Sequence, residues 1–167
     1  MFSMKIWMIA VLFLFAAPKI HGHSQSLPSL EVQTNCEHDP NTFRCVKYVK
    51  NYDGDTITVD IPNVHPLIGD KITVRVREID TPEMRGKHPC EKASAIVAQR
   101  FTAKLLKAAR HINLKNVGRD KYFRILATVE ADGIVLKDAL MAHHLAYAYN
   151  GKAKQEIDWC AYTKTVP

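Results

Sequence analysis

A chain of 167 residues, 47% of them hydrophobic, is long enough to bury one core and too short for two comfortable domains. Its 23 basic side chains outnumber its 17 acidic ones by six, a mild surplus that suits a polyanion bound and then released. A protein that grips DNA tightly carries a stronger basic stripe, and the four cysteines form no Cys-x-x-Cys pair of the kind used for zinc or dithiol chemistry.

Residues 6–18, between Lys5 and Lys19, carry no charge and are too few to cross a bilayer. They read as the apolar stretch of a signal peptide over residues 1–22, with cleavage near Gly22, although a site between Gly22 and Ser24 fits about as well. The alternative is an uncleaved interfacial anchor, but the stretch has no charged face at helical spacing. Cleavage removes Lys5 and Lys19 and no acid, so the basic surplus falls from six to four. The expectation is therefore an exported protein of the periplasm or the medium, with no stable membrane association after cleavage. In that oxidising setting Cys36, Cys45, Cys90 and Cys160 form two disulfides. Of the three pairings they allow, Cys36 with Cys45 closes a short local loop and Cys90 with Cys160 ties the tail to the middle of the fold; this pair is expected.

Residues 23–43 are rich in Ser, His, Asn and Pro without periodicity and read as a lead-in arm, with the folded domain over 44–167. Runs rich in Val, Ile and Thr predict strands over 44–51, 56–61 and 72–79. From 89 to 109 the period changes: Ala93, Val97, Phe101 and Leu105 recur every fourth residue, flanked by Ile96 and Leu106, which predicts an amphipathic helix with that face inward. Pro89 and Glu91 favour its start, and Lys104, Lys107 and Arg110 its end. Strands over 111–116 and 122–130, an Asp132-Gly133 turn and a shorter helix over 135–144 complete the pattern. Three strands, a helix, two strands and a helix predict an α+β fold, mainly β: a five-stranded Greek-key barrel of the OB kind with two to three helices.

Asp55 shares strand parity with Ile57, Val59 and Ile61, so its carboxylate faces the apolar side of the pleat. Such burial costs several kcal/mol, on the order expected for an uncompensated polar group, unless a partner such as a bound cation offsets it. Read alone, Asp53-Gly54-Asp55 is equally a turn with Asp55 half in solvent. A second cluster, Arg75-Val76-Arg77-Glu78-Ile79-Asp80-Thr81-Pro82-Glu83, places two cations beside two acids; by itself it is also compatible with a surface salt-bridge lattice. A third, Asp120-Lys121-Tyr122-Phe123-Arg124, opens a strand with Arg124 facing away from Ile125 and Val129. Together the acids can bind a hard cation through oxygen and position water, while arginine neutralises charge growing on a phosphate.

Asp53-Gly54-Asp55-Thr56, then Arg75 with Asp80-Thr81-Pro82-Glu83, then Asp120-Lys121-Tyr122 with Arg124 resemble the staphylococcal nuclease family in content and order, over roughly residues 45–149. The ensemble is specific where each piece is common. The resemblance implies a calcium-dependent endonuclease that hydrolyses single- and double-stranded DNA and RNA, leaves 3′-phosphates and acts as a monomer. It implies that Asp55 and Asp80 bind the metal with their carboxylates and Thr81 with its main-chain carbonyl, that Glu83 holds the attacking water, and that Arg75 and Arg124 clamp the phosphate. Lys121 and Tyr122 resemble phosphate contacts, and Tyr147 and Tyr149 an aromatic wall that stacks on a base. Three departures stand out: Phe123 in place of a glycine, where it would crowd the approach to Arg124; Arg77 in place of an aliphatic residue; and a longer link over 62–71. The histidines offer no competing centre, since adjacent His143 and His144 face apart on a helix. The rival reading is a catalytically inactive OB-fold nucleic-acid-binding protein, which would be expected to have lost members of the acid and arginine set. A weaker third is an exported oligosaccharide-binding OB domain.

Overall fold

Branched side chains pack well on a pleated surface, and the runs of Val, Ile and Thr fold accordingly into strands. The computed structural model describes residues 35–163, so the expected signal peptide and the first part of the lead-in arm lie outside the described residues. In chain order the elements are β1 (Thr42–Phe43), β2 (Lys47–Asn51), β3 (Thr56–Asp60), α1 (Pro66–Gly69), β4 (Ile72–Val76), β5 (Ile79–Asp80), α2 (Pro89–Ala108), β6 (Ile112–Arg119), β7 (Ile125–Ala131), β8 (Ile134–Val135), α3 (Leu136–Ala142), β9 (Tyr147–Ala148) and α4 (Trp159–Tyr162).

The main sheet runs β2-β3-β4-β7-β6, antiparallel throughout except where β4 lies parallel to β7. The Val46 N–H donates to Ile112 O at 2.9 Å, which carries the hydrogen bonding from the start of β2 round to β6. This is the five-stranded OB barrel predicted from the element pattern. Alternate residues fill it: Ile57 and Val59 from β3, Val74 and Val76 from β4, Leu114 from β6, and Ala127 and Val129 from β7 are all essentially inaccessible.

Several expectations are corrected. Thr42–Phe43, expected in the arm, pairs with β6 as an added strand. The strand expected over 72–79 ends at Val76, where Glu78 takes φ 67° and the chain turns into β5. The strand expected from 122 begins at Ile125, and residues 120–124 form a turn closed by Asp120 N–H on Arg124 O at 3.0 Å. Among the described residues there are four helices; the two that exceed the main pair, α1 and α4, are single turns too short to leave a periodic signal.

Helix α2 starts at His88, whose side chain accepts the Cys90 N–H, with Pro89 and Glu91 in the first turn as predicted. Its inward face keeps the predicted Phe101, Leu105 and Leu106 against the core and is offset from the predicted one earlier in the helix. Ser94, Ala95, Ala98, Thr102 and Leu106 are buried, while Ile96 and Val97 are exposed. Small residues face the barrel because the helix lies close against it. A Cβ on Gly54 would stand 2.9 Å from the Ala98 Cβ and 2.8 Å from Thr81 Cγ2. Thr102 Oγ1 donates to Gly54 O at 2.7 Å, Asn51 Nδ2 donates to Gln99 O at 2.9 Å, and Gln99 Nε2 donates to Tyr52 O at 2.9 Å. These bonds pin the turn between β2 and β3 to the helix. Disulfides join Cys36 to Cys45 and Cys90 to Cys160, with Cα separations of 5.4 and 5.2 Å.

Candidate active site

The pinned turn delivers Asp55. Asp53 Oδ1 accepts the N–H groups of Asp55 at 3.1 Å and Thr56 at 2.7 Å, an Asx turn that makes Asp53 the organiser of the bend. Asp55, 3% exposed, then points inward as strand parity predicts and accepts the Thr81 N–H on Oδ2 at 2.9 Å. Asp80, on β5, is buried beside it. One guanidinium joins the two: Arg75 Nη1 is ion-paired with Asp55 Oδ1, and Nη2 reaches Asp80 Oδ1 at 2.7 Å and Ile79 O at 3.0 Å. The two carboxylates therefore converge within the span of a single arginine fork.

Burial pushes the Asp55 carboxyl up to about 6, with Arg75 pulling it down and Asp53 adding to the rise. Burial also raises Asp80, against the hydrogen bond from Lys154. Both carboxyls are thus raised chiefly because burial strips the ionised forms of water, a cost that a bound cation would offset. The donor set is all oxygen, which fits a hard ion of the calcium or magnesium kind, with water and substrate oxygen completing the shell. Among the described residues, the one group of three His, Cys, Asp or Glu ligand atoms lying together is His88, Cys90 and Cys160, whose cysteines are joined as a disulfide.

These acids line one side of a cleft of about 610 Å³ whose other walls carry Glu83, Lys121, Tyr122, Arg124, Tyr149 and Lys154. Arg75 and Arg124 face the same space. Arg124 Nε pairs with Asp120 Oδ2 at 2.7 Å, and Asp120 Oδ1 accepts the N–H groups of Tyr122 at 2.8 Å and Arg124 at 3.0 Å, so one aspartate shapes the turn and aims the arginine. Thr81 lines the cleft with its N–H on Asp55, and Arg77 lies at the cleft with Nη2 on Asn116 O at 2.7 Å.

Tyr147 departs from its expected role. It is 7% exposed, and its hydroxyl donates to Asp80 Oδ2 at 3.0 Å, so it holds a carboxylate and has no free face for a base. Trp159 packs against it with ring centroids 6.0 Å apart. Tyr149 does line the cleft, its hydroxyl donating to Lys152 O at 2.6 Å. Phe123 stands 79% exposed.

Two participants carry no sequence signal as site residues. Lys154 Nζ is ion-paired with Glu83 and lies 3.0 Å from Asp80 Oδ2. Burial works against its charge, but the two acids hold the ammonium above the usual lysine range. It sits in a polar stretch, 150–157, with nothing local to set it apart from neighbouring lysines. Glu91 accepts the Glu83 N–H at 3.3 Å; the sequence marks it only as an acid favouring the helix start.

An OB barrel whose cleft gathers two buried carboxylates joined by one arginine, a second arginine and a third acid places the protein in the class of OB-fold nucleases of the staphylococcal type. The family model for staphylococcal nuclease homologues matches residues 73–164, and the chain belongs to that family. It is also 31% identical over 140 residues to Endonuclease YncB of Bacillus subtilis (strain 168), an alignment covering 79% of this chain and 63% of the relative. The chain thus spans less than two thirds of that relative's length.

Proposed function

We propose that the protein is a calcium-dependent endonuclease that hydrolyses phosphodiester bonds of DNA and RNA and leaves 3′-phosphate ends. The observation that carries this reading is the convergence of Asp55 and Asp80 on Arg75, with Arg124 and Glu83 facing the same cleft. Family membership and the likeness to an endonuclease support it.

Asp55, Asp80 and the main-chain carbonyl of Thr81 would hold the cation, which supplies Lewis-acid polarisation of a phosphate oxygen when bound. Arg75 and Arg124 bind the phosphate from two sides and stabilise the charge that grows as phosphorus becomes five-coordinate. Glu83 orients a water for attack and takes its proton. The new bond joins water oxygen to phosphorus, the bond from phosphorus to the 5′-oxygen breaks, and that oxygen takes up a proton from solvent. No group in this set requires a 2′-hydroxyl, so discrimination between the two sugars is weak. The protein acts as an exported monomer; its two disulfides support an oxidising compartment. No helix among the described residues is long and apolar enough to cross a membrane.

Digestion of plasmid DNA and of RNA with calcium, with magnesium and with chelator, beside Glu83→Ser, tests the reading. Cleavage of both polymers with calcium, lost with chelator and strongly reduced in the variant, is expected. Protein that binds both polymers and leaves them intact at millimolar-range calcium would be a binding module instead.

A further inference from the structure

We propose that Arg77 is a binding residue for a second phosphate group of the substrate strand, next to the one that is cut, an inference that rests on the cleft acting on nucleic acid. Arg77 lines the cleft two residues beyond Arg75. Its N–H donates to Ala127 O at 2.9 Å, which continues the ladder of β4 with β7 past Val76. Alternation along an extended chain gives the two arginines the same side of the sheet, with a step of about 7 Å between them. That step is comparable to the one between neighbouring phosphates of a nucleic-acid strand.

The guanidinium is held in place but not neutralised. Nη2 donates to Asn116 O at 2.7 Å and to Leu126 O at 3.4 Å, where the pairing of β6 with β7 shifts register between Lys115 and Gly118. Gly118 leaves room for it, since a Cβ there would stand 3.0 Å from Nη2. Nε is buried without a hydrogen-bond partner. Among the described residues Arg77 makes no ion pair. The acids around it are taken: Asp55 and Asp80 by Arg75, Asp120 by Arg124, Glu83 by Lys154, and Glu78, next to Arg77 in the chain, by Lys137. Arginine stays charged at any working pH, and drawing that charge out of water costs free energy that backbone carbonyls return only in part. A neutral amide donor would serve the carbonyls alone, so the positive charge is accounted for by an anion arriving from the cleft. A base offers no charge to meet it, whereas a phosphate oxygen accepts a charge-assisted hydrogen bond from a guanidinium. With Arg75 and Arg124 assigned to the phosphate that is cut, its neighbour falls to Arg77.

Three short substrates test this on the full chain with calcium: a dinucleotide with one phosphodiester bond, and the same dinucleotide with a phosphate added at its 5′ or at its 3′ end. In the wild type one of the added phosphates is expected to lower KM about tenfold with kcat little changed, the order of one charge-assisted hydrogen bond. Arg77→Gln keeps a donor for the Asn116 carbonyl and removes the charge, so it should erase that difference between substrates. Arg77→Lys keeps the charge and should retain part of it. A merely structural role for Arg77 would instead shift all three substrates alike, together with the melting temperature. A wild type that cleaves long DNA or RNA but gains nothing from either added phosphate overturns the inference, as does an undiminished gain in Arg77→Gln. A wild type that cleaves neither the dinucleotides nor longer DNA and RNA overturns the reading of the cleft itself.

Discussion

At Asp55, in the proposed cation site, a buried carboxyl sets stability and function pulling in opposite directions. Its folded value, about 6, lies above the ordinary 3.8, so the folded state binds the proton more tightly than the unfolded state does. The sign follows: in cation-free protein, stability falls as pH rises between about 4 and 6, by on the order of 2 kcal/mol from this group. Asp55→Asn should therefore raise the melting temperature in chelator at pH 7, flatten the pH dependence between 4 and 7, and abolish cleavage. Melting curves across that range with and without the substitution check it; a variant that melts lower at pH 7 would contradict it. The two arginines should differ in a related way. Alanine at either is expected to reduce kcat by roughly 10²–10³-fold, about 3–4 kcal/mol. Only Arg75→Ala should also lower the melting temperature markedly, since it leaves buried Asp55 without its cation and Asp80 with Lys154 alone, whereas the Arg124–Asp120 pair is partly solvated. Parallel kcat and melting measurements on the two variants separate these effects.

Among the elements, the contact of α2 with the turn between β2 and β3 matters most, because that turn aims Asp55. The contact is close enough that small residues fill it, and Gly54 is required for space. Gly54→Ala would press on Thr81 and Ala98 at under 3 Å. A loss of about 1–3 kcal/mol is expected from such overpacking. The push on Thr81 should also disturb the Asp55–Thr81 hydrogen bond and lower activity beyond what the stability loss explains. Urea unfolding together with initial rates at low temperature, where the variant remains folded, tests both parts. This same contact is where periodicity misled: Val97 and Ile96 are the larger apolar residues, yet the close approach selects the adjacent stripe of Ser94, Ala95, Ala98 and Thr102.

For the whole molecule, the Cys90–Cys160 disulfide fastens the C-terminal segment across the fold. It spans 70 residues of sequence against nine for Cys36–Cys45. In the chain-entropy account the longer loop contributes more, about 4 kcal/mol, and its loss should lower the melting temperature further than loss of the short one. It also anchors α4, whose Trp159 packs on Tyr147, which in turn holds Asp80. Replacing Cys90 and Cys160 by serine should thus weaken the proposed calcium binding, measured by calorimetry, as well as stability, whereas replacing Cys36 and Cys45 should leave it in place.

The sequence by itself determined the barrel strands, the two main helices and the inward parity of Asp55, and its resemblance to a family pointed to Asp80, Glu83, Arg75 and Arg124, which the fold brings to one cleft. The elements and the parity of Asp55 follow from alternation along a strand and period along a helix, and the site set from motifs read together as a family resemblance. Only the tertiary structure decided that Tyr147 supports Asp80, that Lys154 reaches Glu83 and Asp80, that Glu91 accepts from Glu83, and which face of α2 meets the barrel. Each of these depends on how elements approach one another or on partners brought together by chain closure. Tyr147 and Lys154 act across 67 and 71 residues of sequence, beyond the reach of any local pattern.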